Sequence, residues 1–187
     1  MKVLIAGSHG MVGSVAAPYL AACGHQVTRL VTSTPGPGDI EWNPDAGKID
    51  ASRLEGFDGV INLATVRWPF RWTAKAKKTL LQNRLATNGL LARSLAACTR
   101  KPEVLICASG MGYYPSSADT LLAEDGPAGT SFLSRFDQEA EAATAPATAA
   151  GIRVVHLRIP LVIGGAMLQF LGFQAGDGQQ WMSWIGR

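Results

Sequence analysis

The chain has 187 residues, 47% of them hydrophobic, with 17 Lys and Arg against 14 Asp and Glu for a net charge of +3. That supplies one well-buried core, leaves too little length for two full domains, and carries no mark of disorder or a fibre. The basic residues are scattered, apart from Lys75, Lys77 and Lys78 on one expected helix, which read as a solvated face and not as a nucleic-acid footprint.

Val3 to Ala6 is a short apolar run ending at Gly7. Met11 to Cys23 follows at helical spacing, with Gly24 as its stop. Gln26 to Val31 predicts a second strand, after which Pro35, Gly36, Pro37 and Gly38 predict a loop running to about Gly47. Gly59 to Ala64 is a third strand, and Thr73 to Ala97 is helical, with a break expected near Asn88 and Gly89.

Glu103 to Ala108 gives strand four. Ser131 to Ala150 reads as a helix with a kink or break at Pro146, and Ile152 to Arg158 as strand five. Continuous apolar strands alternating with helices imply an α/β protein: a Rossmann-like, doubly wound parallel sheet in three α/β/α layers. A single domain over 1–187 is expected, with its core in 1–164 and an irregular segment over 165–187.

Cys23, Cys98 and Cys107 have no paired spacing, which points to reduced thiols and to neither a disulfide framework nor a metal site. The apolar run before Gly7 is too short for a signal-peptide core, and no run reaches membrane-spanning length. A soluble, cytoplasmic protein is expected, without membrane or nucleic-acid partners.

The segment GSHGMVG places Gly7, Gly10 and Gly13 three apart between a strand and a helix, the context of a dinucleotide fingerprint. Gly7 permits the tight turn, Gly10 lets backbone approach a pyrophosphate, and Gly13 allows close helix packing. The cofactor-binding turn is therefore Gly7, Ser8, His9, Gly10, Met11, Val12 and Gly13. A ligand-free glycine turn is the plain alternative.

An NAD site usually offers an acid near the end of strand two, and none stands at Val31, Thr32, Ser33 or Thr34. The hydroxyls of Thr32 and Ser33 can donate to a phosphate, so NADP is preferred over NAD.

The GxxGxxG spacing resembles that of the extended and atypical short-chain dehydrogenase/reductases, the NAD(P)-dependent epimerase/dehydratase group. More closely, the chain is similar to an epimerase-like subfamily that also carries the label of cell-division inhibitors. The segments GHQVTRLV, IEWNP, GKID, LEGFDGVINLA, RWTAKAK, CASGMGYY, EDGP, AGIRVVHLR and QWMSWI carry that likeness along nearly the whole chain.

The resemblance implies cofactor contacts at Asn62, Leu63, Ala64 and Arg84, of which Leu63 and Ala64 read otherwise as core and Arg84 as a surface charge. Relatives tend to place a basic residue where Ser33 stands. The resemblance also puts the catalytic Ser/Thr at Ser109, while Leu133 and Asp137 occupy the places of the Tyr and Lys of the usual YxxxK pair. Tyr113, next to Tyr114, is then the surrogate acid, against a plain packing role for both.

The family's C-terminal substrate region is expected to be absent. Phe170, Phe173, Trp181, Trp184 and Ile185 would then form an apolar patch suited to a homodimer. Two functional readings follow: an NAD(P)-dependent epimerase or reductase-like enzyme on a small substrate, such as a nucleotide-linked sugar, or an NADP-binding sensor or relic without turnover.

Overall fold

The computed structural model describes residues 1–66, 71–117, 120–162 and 184–185. Strands β1 (Lys2–Ala6), β2 (Gln26–Val31), β3 (Ile40–Asn43), β4 (Lys48–Ile49), β5 (Gly59–Asn62), β6 (Val104–Gly110) and β7 (Arg153–Ile159) form one sheet in the order β4-β3-β2-β1-β5-β6-β7. All neighbours are parallel except β3 and β4.

The helices follow from that order. Helix α1 (Gly13–Ala22) joins β1 to β2, so its crossover runs one way along the sheet, whereas α2 (Ala74–Ala96) joins β5 to β6 in the other direction. Right-handed crossovers of opposite sense put the two helices on opposite faces, as the doubly wound expectation requires. The direction of travel reverses between β1 and β5, and such a switch point leaves a crevice outside the carboxyl ends of the two strands.

The face under α2 holds the larger core, where Leu4, Leu30, Trp42, Val60 and Leu105 of the sheet meet Leu91 and Leu95 of the helix. Strand alternation turns Val3 and Ile5 to the other face, where α1 packs on β1 and β2. Helices α3 (Phe132–Ala142) and α4 (Ala145–Ala149) pack beside α2.

Three local expectations need correction. The stretch read as loop to Gly47 contains β3 and leads directly into β4: Ile40 and Trp42 are buried while Glu41 and Asn43 are exposed, the period of a half-buried strand. Helix α2 runs unbroken through Asn88 and Gly89, because Asn88 bonds sideways to Asn62 and Ala140 and leaves the helix ladder intact. The break after Ser131 falls at Ala143 and Thr144, so Pro146 stands in the first turn of α4, where a missing N–H costs nothing.

Strands β8 (Leu161–Val162) and β9 (Trp184–Ile185) pair in parallel as a separate two-stranded sheet. Phe170, Phe173 and Trp181, and with them most of the segment 165–187, lie outside the described residues. Among the described residues no helix is long and apolar enough to cross a membrane.

Candidate functional site

Gly7 follows β1 directly with φ +78°, a conformation open chiefly to glycine. A Cβ there would lie 2.6 Å from the Leu63 carbonyl carbon and 2.7 Å from the Ala64 nitrogen, so the end of β1 presses directly on the chain leaving β5. A Cβ on Gly13 would come within 2.2 Å of the Gly7 carbonyl oxygen. Gly13 thus sets how closely α1 approaches the turn. Gly10 differs: its nearest neighbour would be the Gly7 oxygen at 3.2 Å, and its N–H closes the turn on that oxygen at 3.0 Å.

Helix α1 begins without a side-chain cap and without an acid in its first turn. Among the described residues nothing accepts from the N–H groups of Met11 and Val12. Unpaired N–H groups and the positive end of the helix dipole make this turn an anion-binding end.

A cleft of about 520 Å³ opens beside the turn, at the switch point. Its floor is Gly7, His9 and Gly10; one wall is Leu30 to Ser33 with the turn Trp42 to Asp45; the other is Leu63 to Val66 with Asn83 and Thr87 of α2. The expected residues His9, Thr32, Ser33, Leu63 and Ala64 therefore meet around one space. Met11 and Val12 are exposed on the turn and outside that lining. Ser8 is buried with its hydroxyl unpartnered and also lies outside the lining, so its side chain turns into the protein.

The second wall is pinned from behind. Asn62, fully buried, accepts from Ala64 N through Oδ1 and donates through Nδ2 to Asn88 Oδ1 at 2.9 Å. Asn88 in turn donates to the Ala140 carbonyl at 2.7 Å. Arg84 is buried, not a surface charge, and donates to the Ala64 carbonyl at 3.1 Å from behind the cleft. Asn83 Oδ1 accepts from Val66 N.

Ser109 and Tyr113 gather elsewhere, the first near the end of β6 and the second just past it. Ser109 is aligned with Arg158 across the β6–β7 ladder, and both reach Glu141 of α3. The Arg158 guanidinium lies 3.5 Å from the centre of the Tyr113 ring and donates to Tyr114 Oη at 2.7 Å. Burial works to raise the Glu141 pKa, but hydrogen bonds from Arg158 and Ser109 outweigh it and hold the carboxyl below its usual range. Neither Ser109 nor Tyr113 lines the 520 Å³ cleft.

Asp137 packs under the glycines at and just after the end of β6: a Cβ on Gly110 would lie 2.8 Å from its Oδ2, and one on Gly112 would lie 3.1 Å away. Burial pushes its carboxyl up to about 7 against the pull of Arg84.

The model of the NAD dependent epimerase/dehydratase family matches residues 3–175. The chain belongs to that family. It is of the short-chain dehydrogenase/reductase type, with the Rossmann-like fold of its relatives. It is 36% identical over 195 residues to an epimerase family protein of Mycobacterium leprae, covering 98% of this chain and 63% of that one. With the human epimerase family protein SDR39U1 it shares 35% over 199 residues, 99% of this chain and 66% of the other.

Among solved structures it is similar to the nucleoside-diphosphate sugar epimerase of Corynebacterium glutamicum, with a TM-score of 0.85 and 31% identity over 100% of this chain and 41% of that one. Human SDR39U1 with NADPH gives a TM-score of 0.83 and 30% identity over 100% of this chain and 66% of the other. The chain thus spans less than two thirds of the curated M. leprae relative.

The turn Trp42 to Asp45 and the residues Glu141 and Arg158 were missed as site residues by sequence reasoning. The first had a usable signal, the alternation of IEWN between two glycine-containing turns. The second had none, since β6, α3 and β7 meet only in the folded chain.

Proposed function

We propose that the cleft at the β1–β5 switch point holds the dinucleotide, its diphosphate on the N–H groups of the Gly7–Gly13 turn. The close fit at Gly7 and Gly13 carries this reading, since it brings bare backbone and an uncapped helix start to the mouth of the cleft. Held there by the glycine turn, the dinucleotide would supply hydride-transfer chemistry to a substrate carbon. The residues at and just past the end of β6 form the substrate end, with Ser109 orienting a substrate oxygen and Tyr113 giving or taking its proton.

A small carbonyl or hydroxyl compound, such as a nucleotide-linked sugar, fits this reading and is in keeping with the nucleoside-diphosphate sugar epimerase among the structural neighbours. The NADP preference expected from the end of β2 is in keeping with the NADPH of the human relative, but it meets a carboxylate in the cleft, Asp45.

One observation favours the second reading, a cofactor-binding protein without turnover: the Ser109 proton is committed to Glu141. Calorimetric titration with NADH and NADPH tests the binding, with Gly10→Asp as the control. That substitution adds a negative charge at the turn with no collision under 3.0 Å, so the variant should fold and lose both nucleotides. Absence of binding to the wild type would remove the proposal. Turnover that drops in Ser109→Ala or Tyr113→Phe supports the enzyme; no turnover with any carbonyl or nucleotide-sugar substrate, at intact binding, leaves the sensor.

A further inference from the structure

The β2 side of the cleft, where a dinucleotide-binding sheet of this kind places the adenosine ribose, is built from two segments about ten residues apart in sequence, the end of β2 and the β3–β4 turn. Thr32 and Ser33 of the first, both exposed, face the same space as Asn43 and Asp45 of the second. The turn is firmly made: Asn43 Oδ1 accepts from Ala46 N at 3.0 Å, Gly47 N donates to the Pro44 carbonyl at 3.1 Å, and Trp42 is buried in the core. Asp45 is therefore carried on a fixed support.

The charges of the lining are one-sided. Among the described residues around the cleft there is no Lys and no Arg, and the one carboxylate is Asp45. His9, the other ionisable group, stands on the glycine turn, at the diphosphate end. Arg84, the nearest buried cation of the second wall, spends its Nη1 on the Ala64 carbonyl.

NAD and NADP differ by a 2′-phosphate that carries close to two negative charges at neutral pH, and proteins that accept it supply a cation. Among its described residues, this lining supplies hydroxyls and a like charge. A 2′-hydroxyl, by contrast, loses nothing to a nearby carboxylate and can donate to it.

We infer that Asp45, acting with the cation-free end of β2, makes this cleft select NAD(H) over NADP(H). The inference rests on the dinucleotide reading of the cleft, and it reverses the preference expected from the end of β2 alone. The discriminating acid comes from the turn after β3, not from β2.

Affinities of NADH and NADPH for the wild type, Asp45→Asn and Ser33→Arg test it by calorimetry. The wild type should bind NADH about tenfold more tightly, a size set by a like charge across a solvated cleft. Asp45→Asn, a change on an exposed turn, should bring the two affinities within about threefold by improving NADPH while leaving NADH nearly unchanged. Ser33→Arg should favour NADPH outright. The wild-type gap should also narrow as salt is raised from 0.05 to 0.5 M.

Equal or tighter binding of NADPH by the wild type overturns the inference, and so does a ratio that Asp45→Asn leaves unchanged. If neither nucleotide binds the folded wild type, the dinucleotide reading falls and this inference with it.

Discussion

Ser109 donates its hydroxyl proton to Glu141, Oγ to Oε1 at 2.6 Å, and the same carboxylate accepts two hydrogen bonds from Arg158 at 2.9 Å. One α3 side chain thereby ties the ends of β6 and β7 together. Arg158 extends the network outwards to Tyr114 and to the Glu124 carbonyl, so it also fixes the loop after β6. A substrate oxygen can take the Ser109 proton only by displacing Glu141 from it.

The parts of this network are unequal. Ser109→Ala removes one hydrogen bond and leaves Glu141 with its bidentate partner, for an expected cost of about 1 kcal/mol. Arg158→Met strands a largely buried carboxylate and should cost about 3 kcal/mol, of which Glu141→Gln in the same chain should restore a large part. Urea midpoints at pH 7 read all three. Equal losses for Ser109→Ala and Arg158→Met would contradict the assignment.

Two glycines separate close approach from backbone conformation. Gly24 has φ +84° and open space around it, so Gly24→Ala should cost about 1 kcal/mol through the left-handed backbone alone. Gly13→Ala must move the Gly7 carbonyl, and with it the turn, and should cost at least twice as much and abolish nucleotide binding. Thermal melting with calorimetric titration distinguishes them. A Gly13→Ala protein that still binds NADH would show that the turn tolerates displacement.

Asn88 links the cleft to the far side of α2. Asn88→Leu leaves the buried Asn62 Nδ2 and the Ala140 carbonyl without their partners, for an expected loss of about 2–4 kcal/mol. Because Asn62 also holds Ala64 N, amide hydrogen exchange at Ala64 should quicken in the variant. Unchanged exchange at that amide would show that Asn62 is held without Asn88.

The strands that proved legible are those whose apolar runs are continuous, because burial on both faces leaves no other reading of Val3–Ala6 or Gly59–Asn62. The glycine turn was legible for a related reason, since the contacts of Gly10 and Gly13 with Gly7 fall within seven residues of chain. Ile40–Asn43 was lost to the Pro and Gly residues before it, although its own alternation was plain. Asn88 and Gly89 suggested a break because helix propensity is local, whereas the lateral bonds of Asn88 and the approach of Gly89 to the Ala143 carbonyl, 3.9 Å from its Cβ position, are tertiary. The Glu141 network could not be read at all: its members become neighbours only when β6, α3 and β7 meet in the folded chain.

Asp137 should leave a signature in the pH dependence of stability. Its carboxyl is pushed up to about 7 chiefly by burial, so the folded state binds a proton that the unfolded chain gives up near pH 4. Between those values the native state holds more protons than the unfolded one, and stability must fall as pH rises, then level off above about pH 7. The size expected between pH 5 and pH 8 is on the order of 2–3 kcal/mol. Asp137→Asn keeps the shape under Gly110 and Gly112 but has no proton to lose, so its stability should no longer fall over the same window. The comparison is of slopes, because Arg84 loses a counter-charge in the variant and its burial already disfavours the charged guanidinium. Urea unfolding of both proteins at pH 5 and pH 8 measures the difference. A variant that keeps the wild-type slope would place the titrating group elsewhere, and not at His156: burial lowers its pKa against the pull of Glu141, which gives stability rising with pH, the opposite sign.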